Sequence, residues 1–275
     1  MEKIINGRAL ARKIRQEIKE EIYSKHLRPS LAVVLVGEDP ASQLYVGLKK
    51  RACQEVGIDF HEYLLAENSS AKQVLEVINF LNKDETVDAI LIQLPLPEHL
   101  DADEIIFAMD PKKDVDGFHP SSIKNFLDNQ SSFVPGLALG IYKLIASTEE
   151  NLANKKATIV AKSNILYQPV AKLLNDQGVT TTIVHPGDKD LTNRCQEADI
   201  LISACGKAFF ITADLVKDGA TVIDVGTNQV GDHTVGDVDY SAVFSKVKYI
   251  TPVPGGVGPM TVAMLLYNAL RLTED

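Results

Sequence analysis

Cysteine is scarce: a chain of 275 residues carries three, Cys53, Cys195 and Cys205. They are widely spaced with no C-x-x-C, which argues against both a disulfide framework and a cysteine zinc site. Six histidines are scattered without an H-x-x-x-H or similar pair, so no metal cluster is indicated. Positive charge is also in short supply, with 28 Lys and Arg against 37 Asp and Glu, a net charge of −9 and a pI near 5.2. That balance disfavours nonspecific binding to phosphate backbones and anionic membrane surfaces. No apolar run approaches the length that spans a bilayer, and the opening Met-Glu-Lys-Ile-Ile-Asn lacks signal-peptide character. The expectation is a cytoplasmic protein with neither nucleic acid nor membrane as partner.

What is present is ordinary globular material, 45% hydrophobic and 24% charged, in a length that suits one large or two medium domains. Leu10, Ile14, Ile18 and Ile22 recur at helical spacing, predicting an amphipathic helix over Arg8–Ser24. An apolar strand, Leu31–Val36, leads through the turn Gly37-Glu-Asp-Pro40 into a second helix running to Val56, with Ser42 as its N-cap. Tyr45 and Lys49 lie four apart on that helix and rise from one face. A phenol beside an ammonium can stack a ring, move a proton or stabilise an oxyanion, although such a pair is also an ordinary surface feature. A strand near Ile58–Leu65, a Ser70-capped helix to about Leu81 and a strand Ala89–Gln93 follow. Short apolar strands alternating with helices predict a parallel sheet covered on both faces. Gln93 ends the last strand, where such sheets place ligands. Asp114 and Asp116 precede Gly117; the pattern fits a solvated turn, yet a carboxylate also matches the two N–H groups of an aminopyrimidinone edge. Ser121–Val134 reads as polar and broken.

A second alternation begins beyond Phe133-Val-Pro-Gly136. Helix Leu137–Ala146 precedes strand Ala157–Ala161, helix Leu166–Asn175 and strands Thr180–Val184, Asp199–Ser203 and Ala220–Val225. This suggests a nucleotide-binding half whose first turn is Ala161-Lys162-Ser163, although G-x-G-x-x-G is missing. A strand end, a cation, a hydroxyl and a helix with Pro169 in its first turn can still hold a phosphate. The next strand ends in Val184-His185-Pro186 with no acid for an NAD ribose, which leans towards NADP. The chain closes on Thr251–Thr261, a glycine- and proline-rich loop able to approach a ligand closely, and an apolar helix to Leu272.

The motifs Y-V-G-L-K at 45–49, I-Q-L-P-L-P at 92–97, K-D-V-D-G at 113–117, D-V-G-T-N at 224–228, G-D-V-D at 236–239 and P-G-G-V-G-P-M-T at 254–261 occur in order over nearly the whole chain. In them the sequence resembles the bifunctional methylenetetrahydrofolate dehydrogenase/methenyltetrahydrofolate cyclohydrolase family. The resemblance implies an α/β fold of two domains with a cleft between them. One is a catalytic folate-binding domain over 1–118, completed by the C-terminal helix 258–275; the other is a Rossmann-like NADP-binding domain over 136–257. It further implies a homodimer acting on tetrahydrofolate derivatives in one-carbon metabolism, as a source of units for purine biosynthesis. By the same resemblance Lys49 is the catalytic lysine, Gln93 its partner and Tyr45 the ring that packs on the folate. Asp116 grips the pterin; Pro254, Gly255 and Gly256 line the substrate, while Ala161, Lys162, Ser163, Tyr167 and Gly258 face the cofactor.

The chain departs from the family pattern on the nucleotide side. Ala161-Lys162-Ser163 stands where the family shows G-R-S, and Tyr167 where it shows Gly. Tyr167 is expected either to swing outward or to fill the space in which backbone meets phosphate, weakening NADP binding. Two further readings stay open at this point: a cyclohydrolase with weak or absent dehydrogenase activity, and a non-catalytic folate- or nucleotide-binding regulator.

Overall fold

The computed structural model describes residues 3–274. The chain forms two compact units, one built from Arg12–Gly136 and the chain from Val262 onward, the other from the chain up to Ala11 and Leu137–Thr261.

Helix α1 (Gly7–Lys25) leads into strand β1 (Ser30–Val36), every residue of which is buried. Helix α2 (Pro40–Val56) follows, then β2 (Asp59–Leu65), α3 (Ala71–Lys83), β3 (Ala89–Ile92), α4 (Ala102–Phe107) and α5 (Pro120–Leu127). The strands form a parallel sheet in the order β2-β1-β3. Ile90 also bridges Asp114 in parallel, so the segment before Asp116 acts as a short fourth strand. Parallel strands buried on both faces need continuous apolar runs, which Ser-Leu-Ala-Val-Val-Leu-Val and Ala-Ile-Leu-Ile supply. The edge strand β2 is mostly exposed and reads accordingly as Asp-Phe-His-Glu-Tyr-Leu-Leu. Ala32, Val34, Ile90 and Ile92 pack against Val74, Ile78 and Leu81 of α3.

Two local expectations are corrected here. Ser42 is not the cap of α2: Asp39 is, its carboxylate accepting the Ser42 N–H at 2.7 Å, with Pro40 in the first turn. Ser42 itself is buried, 2% exposed. The stretch 121–134 is not broken throughout, because α5 occupies its first part, capped by His119 Nδ1 accepting from Ser121 N at 3.0 Å. Ile123 and Phe126 bury one face of it. Its signal was Pro120 at the first helical position; a histidine cap falls outside the usual capping set.

In the other unit, helix α6 (Gly136–Ala146) precedes β4 (Lys156–Ala161), α7 (Asn164–Asn175), β5 (Thr180–Val184), α8 (Leu191–Glu197), β6 (Ile200–Ala204) and β7 (Thr221–Asp224). A hairpin of β8 (Asn228–Val230) and β9 (His233–Val235), α9 (Tyr240–Val243), β10 (Tyr249–Ile250) and α10 (Val257–Glu274) complete the chain. The five-stranded sheet is parallel in the order β10-β7-β6-β4-β5. Strand order reverses between β4 and β6, the switch point at which doubly wound sheets bind ligands. Pro169 lies inside α7, beyond its first turn, contrary to the sequence expectation. Among the described residues no helix is long and apolar enough to cross a membrane.

Candidate active site

Three side chains converge at the carboxyl ends of the first sheet. Helix α2 leaves the end of β1 and presents Lys49, half-buried, one turn after Tyr45, which is 42% exposed. Gln93 follows directly on strand β3, and its backbone N–H still donates to Val34 O at 2.9 Å, fixing it beside β1. The Gln93 side chain is 7% exposed and fully oriented: Nε2 donates to Leu94 O, and Oε1 accepts from Lys49 Nζ at 2.9 Å. Asp116 follows the short strand bridged to β3, and its carboxylate is an electrostatic neighbour of Lys49.

The electrostatics depart from those of a surface pair. Burial lowers the Lys49 pKa below the usual ammonium value, against an opposing pull from Asp116. Burial pushes Asp116 up to about 6 despite Lys49, with Asp114 adding repulsion. Among the described residues no hydrogen-bond donor is bonded to the Asp116 carboxylate. Asp114 differs sharply: it is buried and accepts from Gly117 N at 3.0 Å and His119 N at 2.8 Å, folding the turn that carries Asp116. Asn268 of α10, 1% exposed, donates to Val115 O at 3.0 Å and Val134 O at 3.2 Å and so steadies the residue before Asp116. Sequence reasoning passed over Asn268; a lone amide in an apolar helix was the available signal.

The remaining substrate-side candidates belong to the other unit. The Val253–Pro254 peptide is cis and Gly255 has φ +114°. Gly256 lies so close to Pro252 O that a Cβ would meet it at 2.7 Å. Arg8 N donates to Gly255 O at 3.1 Å, fixing the loop. Gly258, in the first turn of α10, is exposed with open space around it.

At the switch point, Ala161 ends β4 and is buried, Lys162 is exposed, and Ser163 precedes α7 without spending its side chain on a cap bond. Asn164, Ile165 and Leu166 are exposed. Tyr167 turns inward, 8% exposed, its phenol pKa raised by burial and by the nearby Asp237 carboxylate. It does not swing outward.

Asp237 and Asp224 form a clasp at the ends of β6 and β7. Asp237 accepts from the backbone N–H of Cys205 (2.5 Å), Gly206 (3.2 Å) and Lys207 (3.0 Å) and from Asn228 Nδ2 (2.9 Å). Asp224 accepts from the N–H groups of Gly226 (2.9 Å), Asp237 (3.0 Å) and Val238 (3.0 Å). Each motif's glycine admits the other's carboxylate. A Cβ at Gly236 would lie 1.8 Å from Asp224 Oδ2, and one at Gly226 would lie 2.3 Å from Asp237 Cγ. The motifs D-V-G-T-N and G-D-V-D are therefore one device that fixes the loop after β6, a role their spacing in sequence did not disclose.

The folds and sites define a two-domain α/β protein, one domain with a lysine–glutamine–aspartate constellation and one with a dinucleotide-type sheet. Family models agree for both parts: residues 5–116 match the tetrahydrofolate dehydrogenase/cyclohydrolase catalytic domain, and 135–275 match its NAD(P)-binding domain. The chain belongs to the tetrahydrofolate dehydrogenase/cyclohydrolase family. It is 44% identical over 276 residues to the bifunctional protein FolD of Campylobacter concisus, covering 99% of this chain and 98% of that one. The crystal structure of the FolD methylenetetrahydrofolate dehydrogenase/cyclohydrolase from Campylobacter jejuni superimposes with a TM-score of 0.93 at 43% identity, covering 98% of each chain. The Trypanosoma brucei FolD complexed with NADP and an inhibitor gives 0.93 at 33% identity, covering 98% of this chain and 97% of that one.

The residues at the switch point fit a dinucleotide. An uncommitted Ser163 hydroxyl, the Lys162 ammonium and the exposed first turn of a twelve-residue helix offer the donors that a diphosphate takes.

Proposed function

We propose that the protein oxidises 5,10-methylenetetrahydrofolate to 5,10-methenyltetrahydrofolate with NADP and hydrolyses the product to 10-formyltetrahydrofolate. The observation that carries this reading is the Lys49 Nζ–Gln93 Oε1 bond at 2.9 Å, beside a half-buried Asp116 that has an electrostatic partner and an unfilled carboxylate. NADP accepts a hydride in the first reaction, which needs no strong protein acid, so positioning dominates that step. Asp116 holds the pterin by accepting its paired N–H groups, and exposed Tyr45 packs on the ring system. In the second reaction water adds to the methenyl carbon and one proton leaves as the ring opens. Lys49, its ammonium disfavoured by burial and its amine oriented by Gln93, aligns that water and relays the proton.

Under this reading residues 1–118, completed by 258–275, form the folate-binding catalytic domain, and 136–257 the NADP-binding domain. Pro254, Gly255 and Gly256 line the substrate; Ala161, Lys162, Ser163, Tyr167 and Gly258 serve the cofactor. The protein works as a cytoplasmic homodimer, supplying one-carbon units for purine biosynthesis. The sheet edge at β2, with Leu64 67% exposed, supports an association of copies. Matches to both domain models, and to a bifunctional relative over 99% of this chain, do not favour a cyclohydrolase lacking cofactor use or a non-catalytic regulator.

Lys49→Ala tests the reading. Hydrolysis of the methenyl compound, followed by its absorbance, should fall by about 100-fold or more while folate binding and the thermal midpoint hold. Hydrolysis at the wild-type rate would remove Lys49 from this role.

A further inference from the structure

Resting on the reading of Asp116 as the pterin's acceptor, we propose that Asn268 is a positioning residue for substrate binding, its side-chain amide setting the direction of the Asp116 carboxylate through the peptide before it. The first observation is how the backbone at Asp116 is held. Asp116 stands beyond the single bridge that joins its segment to β3, formed by Ile90 N donating to Lys113 O at 2.7 Å and Val115 N to Ile90 O at 3.4 Å. Two further bonds take over there. Asn268 Nδ2 donates to Val115 O at 3.0 Å, and Gly136 N donates to Asp116 O at 3.1 Å. A peptide unit is a rigid plane, so holding these two carbonyls fixes the planes on both sides of the Asp116 Cα. Together the planes set the direction of the Cα–Cβ bond. One of the two bonds comes from the main chain; the other comes from Asn268.

The second observation is that an amide stands at an apolar position. Leu265, Leu266, Ala269 and Leu270 of α10 are at most 2% exposed, and Asn268 among them is 1% exposed. A leucine would meet that packing without burying a polar group. The amide's two N–H donors serve carbonyls of two different segments, Val115 O and, at 3.2 Å, Val134 O. Those segments lie against each other. Gly117, at φ +74°, has no room for a Cβ, which would stand 2.7 Å from Pro135 Cα. Asn268 thus pins the Asp116 turn to the chain at 134–136. No donor is bonded to the Asp116 carboxylate among the described residues, so its aim rests on this backbone.

Steady-state hydrolysis of 5,10-methenyltetrahydrofolate by the full chain tests this. The variants are Asn268→Leu, which fills the space of the amide, and Asn268→Ala, which leaves it open, each alone and combined with Asp116→Asn. Either substitution should raise KM by about tenfold and leave kcat within about threefold, because the grip on the pterin is shared by ground and transition states. In the Asp116→Asn background the same substitution should move KM by less than about twofold, since the acceptor pair that Asn268 aims is no longer there. A KM rise of full size in that background would make Asn268 a purely structural residue and overturn the proposal. So would an unchanged KM in the single variants, a loss confined to kcat, or loss of the fold in both. An unchanged KM in Asp116→Asn alone would instead overturn the folate reading on which the proposal rests.

Discussion

Asp116 in one unit and Asp224 in the other are both pushed up to about 6 by burial, yet they are built for opposite purposes. Asp224 is 3% exposed and accepts three backbone N–H groups, and its partner Asp237 accepts three more. Those carboxylates are filled; they exchange water for main-chain donors and lock the loop after β6. Asp116 stands half-buried, with Lys49 as its electrostatic neighbour and no donor bonded to it among the described residues. A perturbed carboxylate marks a binding group when its acceptors are left open, and a structural one when the fold has already used them.

The contrast breaks most visibly at Asp237. Asp237→Ala should leave the N–H groups of Cys205, Gly206 and Lys207 without their acceptor and cost about 3–5 kcal/mol in a denaturant titration. Stability unchanged by that substitution, with nucleotide binding lost, would make Asp237 a ligand group instead. Asp116→Asn should give the reverse pattern. Folate affinity should drop by about 10- to 100-fold, because one acceptor becomes a donor facing a donor, while stability at neutral pH should not fall, since the change removes a carboxylate whose ionised form burial disfavours. An undiminished affinity would place the pterin elsewhere.

The smallest effect is a pH dependence. Asp116 accepts the pterin's N–H pair only when ionised, and its folded pKa of about 6 lies above the ordinary 3.8. Folate affinity should therefore be level above pH 6 and fall by about tenfold per unit below it. The linked stability has the opposite sign. Because the folded chain holds the proton more tightly, this contribution is full below about pH 4 and is lost as the pH rises through about 6. Asp116→Asn should flatten both profiles, and a sloping affinity profile in that variant would assign the titration to another group.

Much of the scaffold was legible because it depends on local pattern. The buried runs of β1 and β3, the Ser70–Gln73 capping box of α3 and the helical spacing of α1 each follow from neighbouring residues. The errors fell where a cap or turn chose among similar candidates. Asp39 displaced Ser42 because Pro40 fixes the first turn three residues earlier, and α5 was missed because a histidine caps it. Tyr45 and Lys49 could be paired from a four-residue spacing, whereas Gln93 could only be placed at a strand end.

By itself the sequence determined two alternating α/β halves, the helix that carries Tyr45 and Lys49, and the ordered motifs that resemble one enzyme family. Only the tertiary structure decided which polar groups are filled and which stand open. Lys49 meets Gln93 across 44 residues, Asp237 meets Cys205 across 32, and Asn268 reaches Val115 across 153. Local pattern follows from backbone geometry within a few residues, but the pairing of distant donors and acceptors, and the burial that sets their pKa values, exists only once the sheets have been assembled.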